Sequence, residues 1–134
     1  MAMIQLKRAY APAEPDDGYR ILVDRLWPRG MSKAKEHLDL WMKQIAPSTD
    51  LRKAWNHNPN TILEFAESYR RELDANPAVE QLEQILADHP VVTFVYGARD
   101  PLVNHARILR DYVEERQKVQ SRCLNESATP LSGL

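Results

Sequence analysis

The amino-acid sequence predicts an α/β fold in which helices flank a small, mostly parallel sheet of three or four strands. Two uninterrupted apolar runs, at residues 21–23 and 91–96, are typical of parallel strands that are covered on both faces. Between them lie segments whose apolar residues recur at helical spacing. The order strand, strand, helices, strand, helix favours a parallel pairing between the second and third strands.

The first two strands are predicted near the start of the chain. Residues 4–10 alternate apolar and polar side chains, which indicates a half-buried strand ending near Tyr10. The second strand spans residues 19–26 and is expected to have helices on either side. It leads into a motif over residues 23–30 in which Pro28 restricts the backbone and a glycine ends the run.

Helical segments follow this motif. Ser32 is a potential N-cap for a helix that extends to Ile45, and a further turn is expected at residues 51–55. The clearest helix begins at Thr61, whose hydroxyl is predicted to form a capping box with Glu64. Its apolar residues lie on one stripe, which predicts a face buried in the core.

The last two helices flank the third strand. Helical spacing predicts a helix over residues 79–86, and Asp100 as N-cap with Pro101 in the first turn predicts the start of the final helix. Beyond that helix the periodicity is lost. We therefore expect a single α/β domain over residues 1–118 and a flexible polar tail over residues 119–134.

Composition argues against several classes of protein. The 134 residues suit one domain, and a formal net charge of −1 with a pI near 6.4 disfavours nucleic acid or anionic lipid as a partner. No apolar run approaches the roughly 20 residues of a membrane span, and no signal peptide is visible, so we expect a cytoplasmic protein without a membrane partner. The single cysteine, Cys123, fits a reducing compartment and is expected to be a bystander.

Polar side chains concentrate in the loops after the second and third strands, at residues 24–33 and 96–105. Because the carboxyl ends of parallel strands meet at one edge of a sheet, these loops form the candidate site. Arg25 and Arg29 have planar guanidinium groups suited to a phosphate or carboxylate. A small anionic ligand is therefore expected there, with Trp27 either in contact with it or filling the core.

His105 is the best-placed acid or base in the second loop. Imidazole is the side chain that most often transfers protons in enzymes, and Asp24 would orient the ring, so these two residues are the candidate catalytic pair. Tyr96, Asn104 and Arg52 are further candidates for binding a substrate. The alternative is that His105 is a packing residue beside an apolar helix face.

The same polar residues also admit a structural role or a metal site. Arg25 would have a structural role if it paired with a buried carboxylate such as Asp24 or Asp100. A metal site could be formed by His57, His105, Asp24 and Asp100. The sequence has no metal-ligand spacing such as HExxH, however, so no metal is predicted. The GxGxxG and P-loop signatures are also absent, and the cofactor remains unknown.

Several motifs taken together resemble the DUF488 family, in its YeaO-like branch. They are Lys7-Arg8, Asp17-Gly18-Tyr19-Arg20, residues 23–30, Ala46-Pro47-Ser48, Leu51-Arg52, Phe65, Tyr69, Glu72-Leu73 and Asn104-His105-Ala106. The resemblance covers nearly the whole body of the chain and stops near Glu115. It implies a small α/β cytosolic protein of bacteria or archaea, and it assigns no activity. Cysteine motifs of other branches are not apparent, which disfavours a thiol mechanism.

Three hypotheses about function follow. The first is an enzyme acting on a small anionic substrate. The anion would be bound by Arg25, Arg29 and Arg52. His105 would transfer a proton, and Asp24 would orient the imidazole. The second is a noncatalytic module that binds a small anion or makes a local nucleic-acid contact. The third is a purely structural ion-pair network. The sequence leaves the oligomeric state unassigned.

Overall fold

A computed structural model of the chain describes residues 2–56 and 58–132, with side chains described as far as residue 119. It confirms the α/β class. The strands are β1 (Met3–Arg8), β2 (Tyr19–Leu22), β3 (Leu40–Trp41) and β4 (Val91–Tyr96). The α-helices in the described ranges are α1 (Lys33–Glu36), α2 (Thr49–Trp55), α3 (Ile62–Asp74), α4 (Ala78–Asp88) and α5 (His105–Ser132).

The four strands form one parallel sheet in the order β1-β4-β2-β3. The predicted pairing of the two apolar runs is confirmed, since Ile21 of β2 lies opposite Phe94 of β4. Both runs are buried because β4 and β2 occupy the two inner positions of the sheet. Their carboxyl ends therefore lie side by side.

The longer helices pack against one face of the sheet. Alternate strand side chains point to this face, and the core there includes Ile21, Val23, Val92, Phe94 and Tyr96 from the strands and the β2 extension, with Phe65, Tyr69, Leu82 and Leu109 from the helices. Burial of these apolar groups is the main force that holds the helices on the sheet.

The opposite face has a different cover from the helices we expected. Leu22 and Val95 point to it and pack against Trp27, Leu38 and Trp41, which lie in irregular chain or in the short edge strand β3. The helical contribution among the described residues is the single turn α1, whose Glu36 is buried there. The tryptophan side chains supply the apolar area that a longer helix would otherwise provide.

Part of this second face is a buried ionic cluster. Asp17 lies 2.6 Å from Arg20 Nη1 and 3.0 Å from Lys7 Nζ. Burial raises the pKa of Asp17, but a backbone hydrogen bond and these two cations outweigh it and hold the pKa below its ordinary value. Glu36 Oε2 lies 3.7 Å from Arg20 Nη2, and neither atom has a hydrogen-bond partner among the described residues. Burial raises the pKa of Glu36 despite the nearby arginine.

The predicted helix from Ser32 to Ile45 is wrong beyond its first turn. Ser32 does cap α1, accepting a hydrogen bond from the Lys35 amide, but the helix ends at Glu36, and the next residue, His37, has a left-handed φ of 49°. The chain then forms β3, and Asp39 Oδ2 accepts the Arg20 amide hydrogen bond at 2.8 Å. Pairing with the open edge of β2 satisfies backbone groups that a helix would leave exposed.

Three further boundaries differ from the predictions. Strand β2 ends at Leu22 rather than at residue 26. The Thr61 side chain makes no capping hydrogen bond, because a 3₁₀ turn capped by Asn58 precedes α3. The final helix begins at His105 rather than after Asp100.

The predicted tail falls on the end of α5. The backbone of this helix continues through Ser132, whereas the side chains of residues 120–132 and the placement of residues 133–134 lie outside what the structure describes. The flexibility of residues 119–134, and the role of Cys123 among them, therefore remain predictions.

Candidate functional site

A cavity of about 250 Å³ opens at the carboxyl edge of the sheet. Its walls come from the segments that follow all four strands and from α2, α3 and the start of α5. Rings form much of the surface, and the polar groups are few. Its lining includes Tyr10, Trp27, Trp55 and Phe65 as aromatic residues and Asp24, Arg52 and His105 as ionisable ones. Apolar walls with a few convergent polar groups are typical of ligand sites.

Asp24 joins the two loops that follow β2 and β4. Its Oδ2 accepts a hydrogen bond of 2.8 Å from the Gly97 amide, and its Oδ1 lies 3.1 Å from His105 Nε2. The same Nε2 lies 3.0 Å from the carbonyl oxygen of Val23. Because a carbonyl only accepts, the contact assigns the Nε2 proton to this bond. Asp24 Oδ1 is then left without a hydrogen bond among the described residues, although the ring lies close to it.

The start of α5 holds the imidazole of His105 in place. Asn104, the residue before this helix, is buried; its Oδ1 accepts from the Arg107 amide at 3.0 Å and its Nδ2 donates to the Asp100 carbonyl. The amide of Asn104 therefore acts as a helix cap rather than lining the cavity. The ring of Tyr69 contacts His105 edge-on, with centroids 6.2 Å apart.

Arg25 points back into the protein. Its Nε donates to the Pro47 carbonyl at 3.2 Å and its Nη2 to the Ala46 carbonyl at 3.3 Å. Its hydrogen bonds thus go to carbonyl oxygens, rather than to either of the carboxylates considered from the sequence. Ala46 and Pro47 both line the cavity, so Arg25 supports the wall from behind.

The segment over residues 45–48 is fixed by two further side chains, both on α3. The Tyr69 hydroxyl donates to the Ile45 carbonyl at 2.6 Å. Glu72 accepts from the Ser48 amide at 2.9 Å and from its hydroxyl at 2.6 Å. Burial raises the pKa of Tyr69 well above its ordinary value, so the phenol keeps its proton for this bond. Reasoning about strand ends missed both residues, although each belongs to the family motifs.

Arg52 differs from Arg25 in having no such partner. It lies on α2, is half-buried and lines the cavity, and its guanidinium group makes no hydrogen bond or ion pair with the described residues. Trp27 also lines the cavity; its indole N–H donates to the Met31 carbonyl at 2.7 Å, and its ring packs edge-on against Trp41. Both interpretations of Trp27, packing and wall of a site, therefore describe its position.

The remaining predicted site residues lie apart from this cavity. Arg29 is exposed, and its carbonyl accepts a hydrogen bond of 3.1 Å from the Tyr10 hydroxyl. Tyr96 is buried in the core, which raises the pKa of its phenol. The structure thus brings together Asp24, Trp27, Arg52 and His105, and it places Arg25, Arg29, Tyr96 and Asn104 outside the lining.

The part of the chain that the structure describes offers neither a metal-binding cluster nor a membrane-spanning helix. No group of three or more histidine, cysteine, aspartate or glutamate side chains there is arranged to hold a metal ion. His57, one of the potential ligands considered, lies outside the described residues. Within the same ranges, none of the helices has the length and apolar character needed to cross a bilayer.

Sequence comparisons give the chain its relatives. A family model described as "Inactive DUF488-N3 subclade" matches residues 3–132. The uncharacterized protein YeaO of Escherichia coli K12 is 44% identical over 110 residues, covering 82% of this chain and 96% of that protein. The uncharacterized protein Rv3073c of Mycobacterium tuberculosis H37Rv is 37% identical over 113 residues, covering 84% and 95%. No solved structure matches.

Proposed function

We propose, given that this chain belongs to the DUF488 family, that it is a noncatalytic binding protein whose carboxyl-edge cavity takes a small anion bearing a planar ring. The observation that carries this proposal is Arg52, which lines a cavity rich in aromatic rings and whose guanidinium group has no ion-pair partner among the described residues. A half-buried cation of this kind binds a carboxylate or phosphate through two parallel hydrogen bonds.

The size of the cavity limits the ligand. At about 250 Å³ it lies slightly below the range of roughly 300–1,000 Å³ that is usual for drug-sized ligands, so one ring with one anionic substituent is a suitable size. Trp27 and Tyr10 offer ring surfaces on which a planar group can stack.

The surroundings of His105 favour binding over catalysis. Its Nε2 proton is needed by the Val23 carbonyl, and removing that proton would leave two acceptor atoms facing each other. The adjacent Asp24 is engaged by the Gly97 amide, so the pair connects two loops. The description of the matching family model as inactive agrees with this interpretation.

Benzoate and its neutral analogue benzamide test the proposal. Isothermal titration and thermal unfolding should show binding of benzoate, with a dissociation constant of about 1 mM or below, and much weaker binding of benzamide. Arg52→Gln should weaken benzoate binding roughly tenfold or more, because charge-assisted hydrogen bonds are lost. Lys53→Gln, which removes an exposed cation from the same helix, is the matched control. Equal affinities for the two compounds, or an unchanged affinity in Arg52→Gln, would contradict the proposal.

A second candidate function is catalysis at the same cavity. The 3.1 Å contact between Asp24 Oδ1 and His105 Nε2 favours it, since a carboxylate can orient an imidazole for proton transfer to a phosphate-bearing substrate. Release of 4-nitrophenolate from 4-nitrophenyl phosphate, lost in His105→Gln, would support catalysis. Binding of benzoate without any such release would favour the noncatalytic function.

A further inference from the structure

We infer that the ligand is an elongated dianion, with one anionic group at Arg52 and the other at Arg99 in an adjoining cavity. This inference rests on the proposed function and extends it by naming a ligand class. The second cavity measures about 440 Å³ and is lined by Pro59, Gly97, Ala98, Arg99, Asp100 and Val103.

The two cavities share one wall, formed by Gly97 and Ala98. Gly97 contributes only backbone atoms to this wall. A Cβ atom at that position would lie 3.0 Å from Asp24 Oδ2, the oxygen that accepts the Gly97 amide. The two cavities therefore adjoin along the backbone of Gly97 and Ala98.

The two carboxylates beside this shared wall accept hydrogen bonds from backbone amides. Asp24 is bound by the Gly97 amide, and Asp100 Oδ1 accepts from the amides of Leu102 and Val103 at 2.8 and 3.1 Å. Each carboxylate is thus stabilised by backbone N–H groups of the loop after β4 rather than by an arginine.

The arginines beside them are left available to a ligand. Neither Arg52 nor the exposed Arg99 has an ion-pair partner among the described residues. Arg8 adds a third positive charge, with its Nε bound to the Ala98 carbonyl and its guanidinium over the Tyr10 ring. Three arginines, Arg8, Arg52 and Arg99, thus stand against the two carboxylates of Asp24 and Asp100 at this edge.

A series of aromatic diacids tests the inference by length. Benzoate is compared with terephthalate, 4-carboxyphenylacetate and 3-(4-carboxyphenyl)propionate by isothermal titration on the full chain. At least one of the three diacids should bind roughly tenfold or more tightly than benzoate. The methyl ester of its second carboxylate, which leaves a benzoate group with no second charge, should lose that gain in affinity. Arg99→Gln should also remove the gain while leaving benzoate affinity unchanged. Arg52→Gln should weaken every member of the series.

The outcomes separate this inference from the proposed function. If benzoate binds and no diacid binds better, or if Arg99→Gln preserves the gain, the dianion inference is overturned while the single-anion site stands. If none of the four compounds binds, both are overturned. Arg99 is exposed, so its replacement should leave the melting temperature within about 2 °C of wild type, and Arg99→Lys, which keeps the charge, should retain part of the gain.

Discussion

Gly18→Ala is predicted to be severely destabilising. Gly18 lies between the buried Asp17 and the first residue of β2, with φ 64° and ψ −133°, a conformation that is essentially restricted to glycine. A Cβ added there would lie 2.3 Å from the carbonyl oxygen of Val91 and 2.8 Å from its Cβ. Val91 is the first residue of β4, in the centre of the sheet, so its backbone cannot move aside without disturbing two strand pairings.

The magnitude follows from two contributions. Holding a non-glycine residue in this backbone region costs about 1–3 kcal/mol. The steric overlap with Val91 costs about 1–3 kcal/mol more, as in an overpacked core. A loss of about 4 kcal/mol is a large part of the 5–15 kcal/mol typical of a domain, and it corresponds to a fall in melting temperature of about 15 °C.

Gly30→Ala is the matched control. Gly30 also has a positive φ, 77°, but no atom lies within 4 Å of an added Cβ. Its substitution should cost about 1 kcal/mol or less, because reduced freedom of the unfolded chain offsets part of the strain. Thermal and urea unfolding followed by circular dichroism measure both variants. A Gly18→Ala variant whose stability matches that of Gly30→Ala would refute the reasoning, whereas failure of Gly18→Ala alone to fold would agree with its upper range.

Two other variants test the supports of the site and of the second face. Glu72→Ala removes the carboxylate that accepts from the Ser48 amide and hydroxyl, and it should lower the free energy of unfolding in urea by about 1–3 kcal/mol. The control Glu67→Ala removes an exposed ion pair from the same helix and should lower it by less than about 0.5 kcal/mol. Equal losses in the two variants would contradict the role assigned to Glu72. Burial raises the pKa of Glu36, so the folded chain binds more protons than the unfolded chain just above the ordinary value of 4.5. Wild type should therefore lose stability relative to Glu36→Gln as the pH rises through the folded-state pKa, and a difference that stays constant from pH 4 to pH 8 would contradict this.

Local hydrophobic periodicity was sufficient to predict those helices and strands whose sequence preference agrees with their tertiary environment. The apolar run at Val91–Tyr96 forms β4, and the stripe through Phe65 and Tyr69 forms the buried face of α3. Residues 38–45 failed as a predicted helix because their apolar spacing also suits an edge strand and a 3₁₀ turn. Pairing with β2 decided between these alternatives, and that pairing is a long-range contact invisible in the local sequence.

The candidate site followed the same division. Parallel strands bring their carboxyl ends to one edge, so the loop that carries Asp24 and the loop that leads to His105 were expected to meet, and these side chains do lie 3.1 Å apart. No comparable rule predicts from the sequence whether an arginine side chain binds other groups of the protein or lines a cavity. Arg25 binds backbone carbonyls and Arg52 faces the cavity, although both are arginines beside the same segment.

The sequence by itself determined the family, the α/β class, the two central strands and the edge at which polar loops gather, because hydrophobic periodicity and motif spacing are local properties of the chain. Only the tertiary structure decided which cations are bound internally and which face a cavity. It also determined that Asp17, Arg20 and Glu36 are buried on the second face of the sheet. These outcomes depend on which distant groups meet, and the hydrogen-bonding needs of backbone carbonyls and buried carboxylates leave no periodic pattern in the sequence.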